Sequence, residues 1–175
     1  MTKPWQPSGQ WAGETVAVLA SGPSLTADVV QALSEHHCIA VNLACLLAPD
    51  ADLLVGLDGN WPTAMRDFAG AKVTAVQDDT LDAFYIGPQW RTVQVAPGHA
   101  LEITNSGLTA VELAGRLGAA RIILAGFDHP HQRGHFYDDV VEPYTGLEIA
   151  LRELIARLRA QGVTVEYFEP GEVNG

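Results

Sequence analysis

The densest cluster of ionisable side chains lies in the segment DHPHQRGHFYDD, residues 128–139. Its histidines and aspartates are Asp128, His129, His131, His135, Asp138 and Asp139. Because histidine titrates near neutral pH, one of these rings could take a proton from an acceptor hydroxyl group. The same histidines, together with Asp128, could instead supply three or four ligands to zinc or manganese. A third interpretation is an exposed loop without chemistry, and the residue types alone leave all three open.

A short turn, Ser21-Gly22-Pro23-Ser24, offers a second kind of chemistry. It follows the apolar run TVAVLA and precedes a helical segment, and the N-terminus of a helix presents free N–H groups to an anion. The turn lacks both the GxGxxG pattern of dinucleotide sites and the lysine of a GxxxxGK[ST] loop. It could hold a phosphate, with Gly22 allowing close approach of the backbone, or it could be an ordinary strand-to-helix turn.

Small polar residues recur where other predicted strands end or helices begin. Asn and Asp are common in any turn, but several sets at one edge of a sheet indicate a nucleotide pocket. The predicted nucleotide-binding residues are Gly22, Pro23, Ser24, Asn42, Asp58, Asn105, Ser106, Gly107 and Asp128. Two of them, Asp58 and Asp128, are also the candidate ligands for Mg²⁺ if the site uses a metal.

The elements that would position these residues follow from alternating apolar runs and helical segments. Predicted strands cover 15–20, 38–42, 52–58, 72–76, 91–96, 121–128 and 163–168, and predicted helices cover 26–34, a short stretch from 63, 106–118 and 146–161. This alternation predicts an α/β fold, a Rossmann-like open, mostly parallel sheet with helices on both faces. We expect residues 1–175 to form a single domain, with an irregular N-terminal arm at 1–14 and an irregular excursion at 77–105.

Composition narrows the classes of protein. The chain has 175 residues, of which 47% are hydrophobic and 18% charged, as expected for a globular fold. Its formal net charge of −11 would repel a phosphate backbone, so duplex nucleic acid is not an expected partner. Cys38 and Cys45 lack metal-ligand spacing and are predicted to be reduced core thiols. With no apolar run of membrane-span length and no signal-peptide pattern, we expect a cytoplasmic protein.

Several segments resemble a known family. VLASGPSL, IAVNLACLLAPDADLLVGLD and NSGLTAVELAGRLGAARIILAGFD, followed by GHF, resemble a family of prophage and bacterial hypothetical proteins. That family is similar to the bacterial lipooligosaccharide sialyltransferases and to the 6-hydroxymethylpterin pyrophosphokinase-like proteins. The resemblance covers roughly residues 15–170, and its most specific parts are the GPSL turn and the NSG helix with the apolar strand that follows.

The resemblance implies roles for individual residues. In the sialyltransferases a G-x-G-P-S-L turn approaches the phosphate and ribose of a CMP-sugar, which carries over to Gly22, Pro23 and Ser24, although Ala20 and Ser21 depart from that pattern. The other implied residues are Asn42 and the set Asn105, Ser106 and Gly107 as donor contacts, His135 as the general base, and Tyr137 and Tyr144 at the departing nucleotide.

Three function classes therefore remain. The favoured one is a nucleotide-binding, glycosyltransferase-like protein that uses a CMP-sugar. Its expected partner is a nucleotide or nucleotide-sugar. The second is a Mg²⁺-dependent, pyrophosphokinase-like phosphotransferase, which requires carboxylates such as Asp58 and Asp128. The third is a non-catalytic nucleotide-binding or assembly protein. The aromatic segment at 80–90 could serve as a lid or as a contact between copies in a homo-oligomer.

Overall fold

The fold is built on an eight-stranded sheet in which every pairing is parallel. A computed structural model describes residues 3–78, 80–87, 92–96, 99–102, 105–128 and 147–169, with the backbone alone for 92–96 and 99–102. The strands are β1 Lys3–Pro4, β2 Thr15–Leu19, β3 His37–Val41, β4 Leu53–Val55, β5 Ala71–Thr74, β6 Phe84–Tyr85, β7 Thr92–Ala96, β8 His99–Glu102, β9 Arg121–Ala125 and β10 Thr164–Tyr167. The helices are α1 Ala27–Leu33, α2 Thr63–Arg66, α3 Ser106–Arg116 and α4 Leu147–Ala160, with a 3₁₀ turn at Asn42–Leu46.

Two apolar cores, one on each face of the sheet, explain why the strands are apolar on both sides. In β2, Val16 and Val18 face the core that includes α3 and α4, whereas Ala17 and Leu19 face the core that includes α1 and α2. All four side chains are completely buried. Alternate residues of a strand point to opposite faces, so an uninterrupted apolar strand requires helices on both sides. The predicted α/β, Rossmann-like open parallel sheet is confirmed.

One edge of the sheet differs from the sequence prediction, whereas β10 at the other edge was predicted. The N-terminal arm was predicted to be irregular, but its residues Lys3–Pro4 form β1, which pairs with β6 at the sheet edge. The pairing uses the N–H groups of Lys3 and Trp5 as donors to Ala83 O and Tyr85 O, at 2.9 and 3.0 Å. Pro4 has no N–H to donate, and an edge strand tolerates that loss. Strands of two residues are too short to show any hydrophobic period.

The predicted irregular excursion at 77–105 also contains regular structure. β6 lies within it and extends the main sheet, whereas β7 and β8 form a separate antiparallel pair. The apolar run predicted as a strand at 91–96 is therefore a strand, but it does not join the parallel sheet. The apolar pattern predicted the strand, but it did not predict that this strand pairs with β8.

The strand order, β1-β6-β5-β4-β3-β2-β9-β10, creates a topological switch point. From β2 the chain passes through α1 to β3 on one side, while β9 and then β10 lie on the other side of β2. The connections before β3 and before β9 run over opposite faces of the sheet. The helices that follow β2 and β9, α1 and α4, also lie on opposite faces, and in open parallel sheets the crevice at such a point is where ligands bind.

The two cysteines are free and buried, as predicted from their apolar surroundings. Burial, assisted by the negative charge of Asp52, raises the pKa of the Cys38 thiol to about 11. Both thiols therefore belong to the core and not to a reactive site. No helix in the described part of the chain is long and apolar enough to cross a membrane.

Gly126, directly after β9, generates the first prediction. Its φ is +72°, and a Cβ there would lie 2.2 Å from Ala20 O. Gly126→Ala should lower the free energy of unfolding, measured in urea, by about 1–2 kcal/mol for the left-handed backbone and a further 1–3 kcal/mol for the clash. Gly162→Ala is the matched control, since Gly162 has φ +90° but open space beside it, so only the backbone term applies. If both variants lost the same free energy of unfolding, the close approach of Gly126 to Ala20 O would add nothing to the cost of a Cβ, which would contradict this prediction.

Candidate functional site

A cavity of about 420 Å³ opens at the switch point. Residues that follow β2, β3 and β9 line one part of it, and the first turn of α3 and one side of α4 line the rest. Its volume is within the range of pockets that hold small ligands, roughly 300–1,000 Å³. Five of the predicted nucleotide-binding residues line this cavity, namely Gly22, Asn42, Asn105, Gly107 and Asp128. The other four, Pro23, Ser24, Asp58 and Ser106, are not among its lining residues.

The Gly22 turn is fixed by the loop that follows β9. Gly22 N–H donates to Gly126 O at 2.9 Å, and Ala20 N–H donates to Ala125 O at 2.8 Å. A Cβ on Gly22 would lie 2.1 Å from Asp128 Oδ2 and 2.4 Å from Gly126 O. A glycine is therefore needed at position 22 because the loop after β9 lies too close for a side chain. This loop occupies the space in which the sequence predicted a ligand.

Asp128 is bound to this same turn. Its Oδ2 accepts a hydrogen bond from Ser24 N–H at 2.8 Å, across 104 residues of sequence. A carboxylate thus already occupies the position at the turn where an incoming phosphate was expected. At the beginning of α1, Thr26 Oγ1 accepts from Val29 N–H, so the next turn is capped as well.

Asn42 has an unusual backbone conformation at the end of β3. Its φ is +50°, the only positive φ of a non-glycine residue in the described part of the chain. Asparagine tolerates this region better than most residues, and such conformations are concentrated at functional sites. Ser21, which belongs to the predicted turn but not to the predicted nucleotide-binding residues, is buried and donates from Oγ to Val41 O at 3.1 Å. This bond fastens the turn after β2 to the end of β3, directly at the cavity wall.

The Asn105-Ser106-Gly107 segment starts α3, as predicted, but its three residues have different surroundings. Asn105 Oδ1 caps the helix by accepting from Leu108 N–H at 3.1 Å. Ser106 is buried and its Oγ accepts from Leu57 N–H at 3.1 Å, which joins α3 to the loop after β4. Gly107 lies against the ring of Phe127, where a Cβ would be 3.3 Å from the nearest ring carbon. Asn105 and Gly107 thus face the cavity, while Ser106 holds the helix in place.

Asp58 is exposed and lies apart from the other predicted residues. It follows β4, and two strands, β3 and β2, separate β4 from β9, which precedes Asp128. Three strand spacings of about 4.8 Å place the ends of β4 and β9 roughly 14 Å apart. The structure therefore does not bring Asp58 and Asp128 together. Within the residues that the structure describes, no cluster of three or more His, Cys, Asp or Glu side chains could hold a metal ion.

One side of α4 forms a wall that sequence reasoning missed. Glu148, Arg152, Ala156 and Arg159 line the cavity along this helix, and Tyr167 joins them from the end of β10. Arg152 Nη2 donates to Glu148 Oε1 at 2.8 Å, and Arg159 Nη2 donates to Val165 O. Partial burial raises the pKa of Tyr167, against the opposing effect of Arg159. The available signal was the pair of arginines seven residues apart, which fall on one face of a helix.

His135, the predicted base, lies outside the described residues, as do His129, His131, Asp138, Asp139, Tyr137 and Tyr144. Their assigned roles stay predictions. No family model matches this chain, and no curated protein or solved structure matches it either. The resemblance to the sialyltransferases and pyrophosphokinase-like proteins is therefore a hypothesis that depends on the quoted segments.

Asp128 generates a prediction about stability. Asp128→Ala removes the acceptor of Ser24 N–H and should lower the free energy of unfolding by about 1 kcal/mol, as loss of a capping carboxylate does. Asp58→Ala is the control because it removes the same charge from an exposed side chain, and it should change stability by less than about 0.5 kcal/mol. Urea unfolding of both variants measures the difference. Equal effects would show that the bond to Ser24 contributes nothing to stability.

Proposed function

We propose that this protein binds a nucleotide or nucleotide-sugar in the cavity at the switch point and is a glycosyltransferase-like protein. The observation that carries the proposal is the meeting of Asn42, Asn105 and Asp128 at one cavity. These residues are distant in sequence and follow or precede different elements. Convergent polar groups in an apolar cavity at this point of an open parallel sheet are typical of ligand sites.

The walls suit a ring flanked by polar substituents. Leu108, Phe127 and Leu151 provide apolar surface against which a base or sugar ring could pack. The Asn42 amide offers both a donor and an acceptor, and the Nδ2 group of Asn105 is a donor because its Oδ1 caps α3. Asp128 engages Ser24 through Oδ2, so Oδ1 can accept from a sugar hydroxyl group.

The transfer step of a glycosyltransferase would need a base for the acceptor. The bond between the sugar carbon and the phosphate oxygen breaks, and the nucleotide leaves with the electron pair on that oxygen. The acceptor oxygen forms the new bond to the sugar carbon, and the acceptor proton passes to the base. We propose His135 for this role on the resemblance alone. The Mg²⁺-dependent phosphotransferase is less well supported because the two carboxylates that it requires follow separated strands. A non-catalytic nucleotide-binding protein would use the same cavity without the base.

The first test of this proposal is a thermal-shift screen with CMP, CDP, UDP, GDP and ATP, each with and without Mg²⁺ or Mn²⁺. A ligand at a hundred times its Kd should stabilise the protein by ~2.7 kcal/mol.

The Ala156→Trp variant tests the position of the bound ligand. The tryptophan fills the α4 wall of the cavity and should weaken binding at least tenfold, measured by isothermal titration calorimetry. Ala160→Trp is the control, an exposed alanine of the same helix that is not a lining residue. Binding that survives Ala156→Trp unchanged would locate the ligand elsewhere, and absence of binding to the wild type would reject the proposal.

The second test concerns catalysis. If CMP-sugar hydrolysis or transfer is detected, His135→Ala should lower its rate by about 10²- to 10⁴-fold and remove the acidic limb of the pH profile, because a protonated histidine cannot act as a base. Nucleotide binding should be preserved. His36→Ala is the control, since His36 lies near the amino end of β3, away from the cavity. An unchanged rate would reject His135, and no turnover with any nucleotide-sugar would favour the binding protein.

A further inference from the structure

The α4 wall concentrates positive charge on one side of the cavity. Arg152 and Arg159 are the two cationic residues among its described lining residues. They are seven residues apart, two helical turns and about 10 Å along the axis, with Ala156 between them on the same face. The chain as a whole has a formal net charge of −11, so two arginines at one cavity are a local exception to its acidic character.

Arg159 is the more available of the two cations. Its Nη2 donates to Val165 O, and no ion pair joins it to a carboxylate of the described residues. Arginine has five N–H donors in a planar fork, so one carbonyl leaves most of them for a ligand. Arg152 pairs with Glu148, but the Arg152 side chain is 71% exposed and that of Glu148 47%, and pairs with this exposure contribute little. An oxyanion would have to compete with Glu148 for Arg152 and would be repelled by its carboxylate, so Arg159 is expected to be the stronger phosphate contact.

Tyr167 adds a hydroxyl donor at the same wall. It lies near enough to Arg159, Glu148 and Arg152 for their charges to affect its titration. Because burial raises its pKa from an already high ordinary value, the phenol is protonated at neutral pH. A protonated phenol that lines the same cavity as two guanidinium groups is suited to donate to a phosphate oxygen.

The part of the cavity formed by the loops after β2 and β9 is unfavourable for a phosphate. Ser24 N–H, the group at the turn that would have met an anion, already donates to Asp128. The Asp128 carboxylate would also repel a phosphate placed beside it. Asn42 and Asn105 also line the cavity, and they offer hydrogen bonds without a net charge.

We propose that the phosphate groups of the bound nucleotide lie against Arg152, Arg159 and Tyr167, with the nucleoside directed toward Asn42, Asn105 and Asp128. This inference depends on the proposed function and reverses the orientation implied by the resemblance, in which the GPSL turn meets the phosphate. Arginine contacts a phosphoryl group through paired N–H donors, which a lysine or a single helix N-terminus does not reproduce.

The test compares Arg159→Gln and Arg152→Gln with Arg121→Gln. Arg121 loses the same charge but pairs with Glu166 and is not a lining residue, so it is the matched control. Isothermal titration calorimetry would use CMP, CDP, UDP, GDP and ATP, their nucleosides, and inorganic pyrophosphate. We expect Arg159→Gln to weaken nucleotide binding by roughly 10- to 100-fold, as loss of charged hydrogen bonds does, with a smaller effect of Arg152→Gln and none of Arg121→Gln. The nucleosides should bind more weakly than their nucleotides and be insensitive to these substitutions.

The outcomes separate this inference from the proposed function. Nucleotide binding that is blocked by Ala156→Trp but unchanged in both α4 arginine variants would overturn the orientation and leave the proposed function standing. Equal affinity of nucleoside and nucleotide would do the same. If a free sugar acid required Arg159 while the nucleotides did not, the wall would bind a carboxylate and the phosphate assignment would be wrong. Failure of every phosphorylated probe to bind the wild type would overturn both proposals.

Discussion

The contact between the loops after β2 and β9 is the constraint on which the site depends. Two glycines, Gly22 and Gly126, bring these backbones so close that a Cβ on either would overlap a carbonyl oxygen of the other loop. The hydrogen bond from Gly22 N–H to Gly126 O and the bond from Ser24 N–H to Asp128 complete the contact. Because β2 and β9 are paired interior strands, this contact sets where the switch-point crevice begins and fixes Asp128 at its wall.

This constraint has an electrostatic consequence. A carboxylate that serves as a structural acceptor at the turn makes that end of the cavity negative, so the expected anion site is already filled by the protein. The positive groups belong to a different element of the lining, helix α4. A ligand with an uncharged polar part and an anionic part would therefore be oriented by the protein's own charge distribution, and orientation of this kind contributes more to specificity than to affinity.

The sequence predicted the architecture better than the chemistry of individual groups. Continuous apolar strands and small polar residues after them follow directly from a buried parallel sheet, so the sheet and the grouping of Asn42, Asn105 and Asp128 were predictable. The bond between Ser24 and Asp128 was not predictable, since no local pattern links residues 104 apart.

The arginines of α4 were missed for a different reason. Helical periodicity identifies the apolar face of a helix, but it does not distinguish an exposed polar face from one that borders a cavity. Asp58 shares the residue type and strand-end position of Asp128, yet strand order separates them, and strand order is a property of the whole fold.

Asn42 shows how the strand ends can prepare a site before any ligand arrives. Its left-handed backbone is costly for most residues, and a conformation of this kind persists only where surrounding contacts determine it. Here the neighbouring carbonyl, Val41 O, accepts from the buried Ser21 hydroxyl, which belongs to the same turn that Gly22 and Gly126 hold. The backbone of Asn42 is thus held by the loop contact through one intermediate hydrogen bond. A ligand that binds at Asn42 would not have to order this backbone, so less of the interaction free energy would be lost on binding.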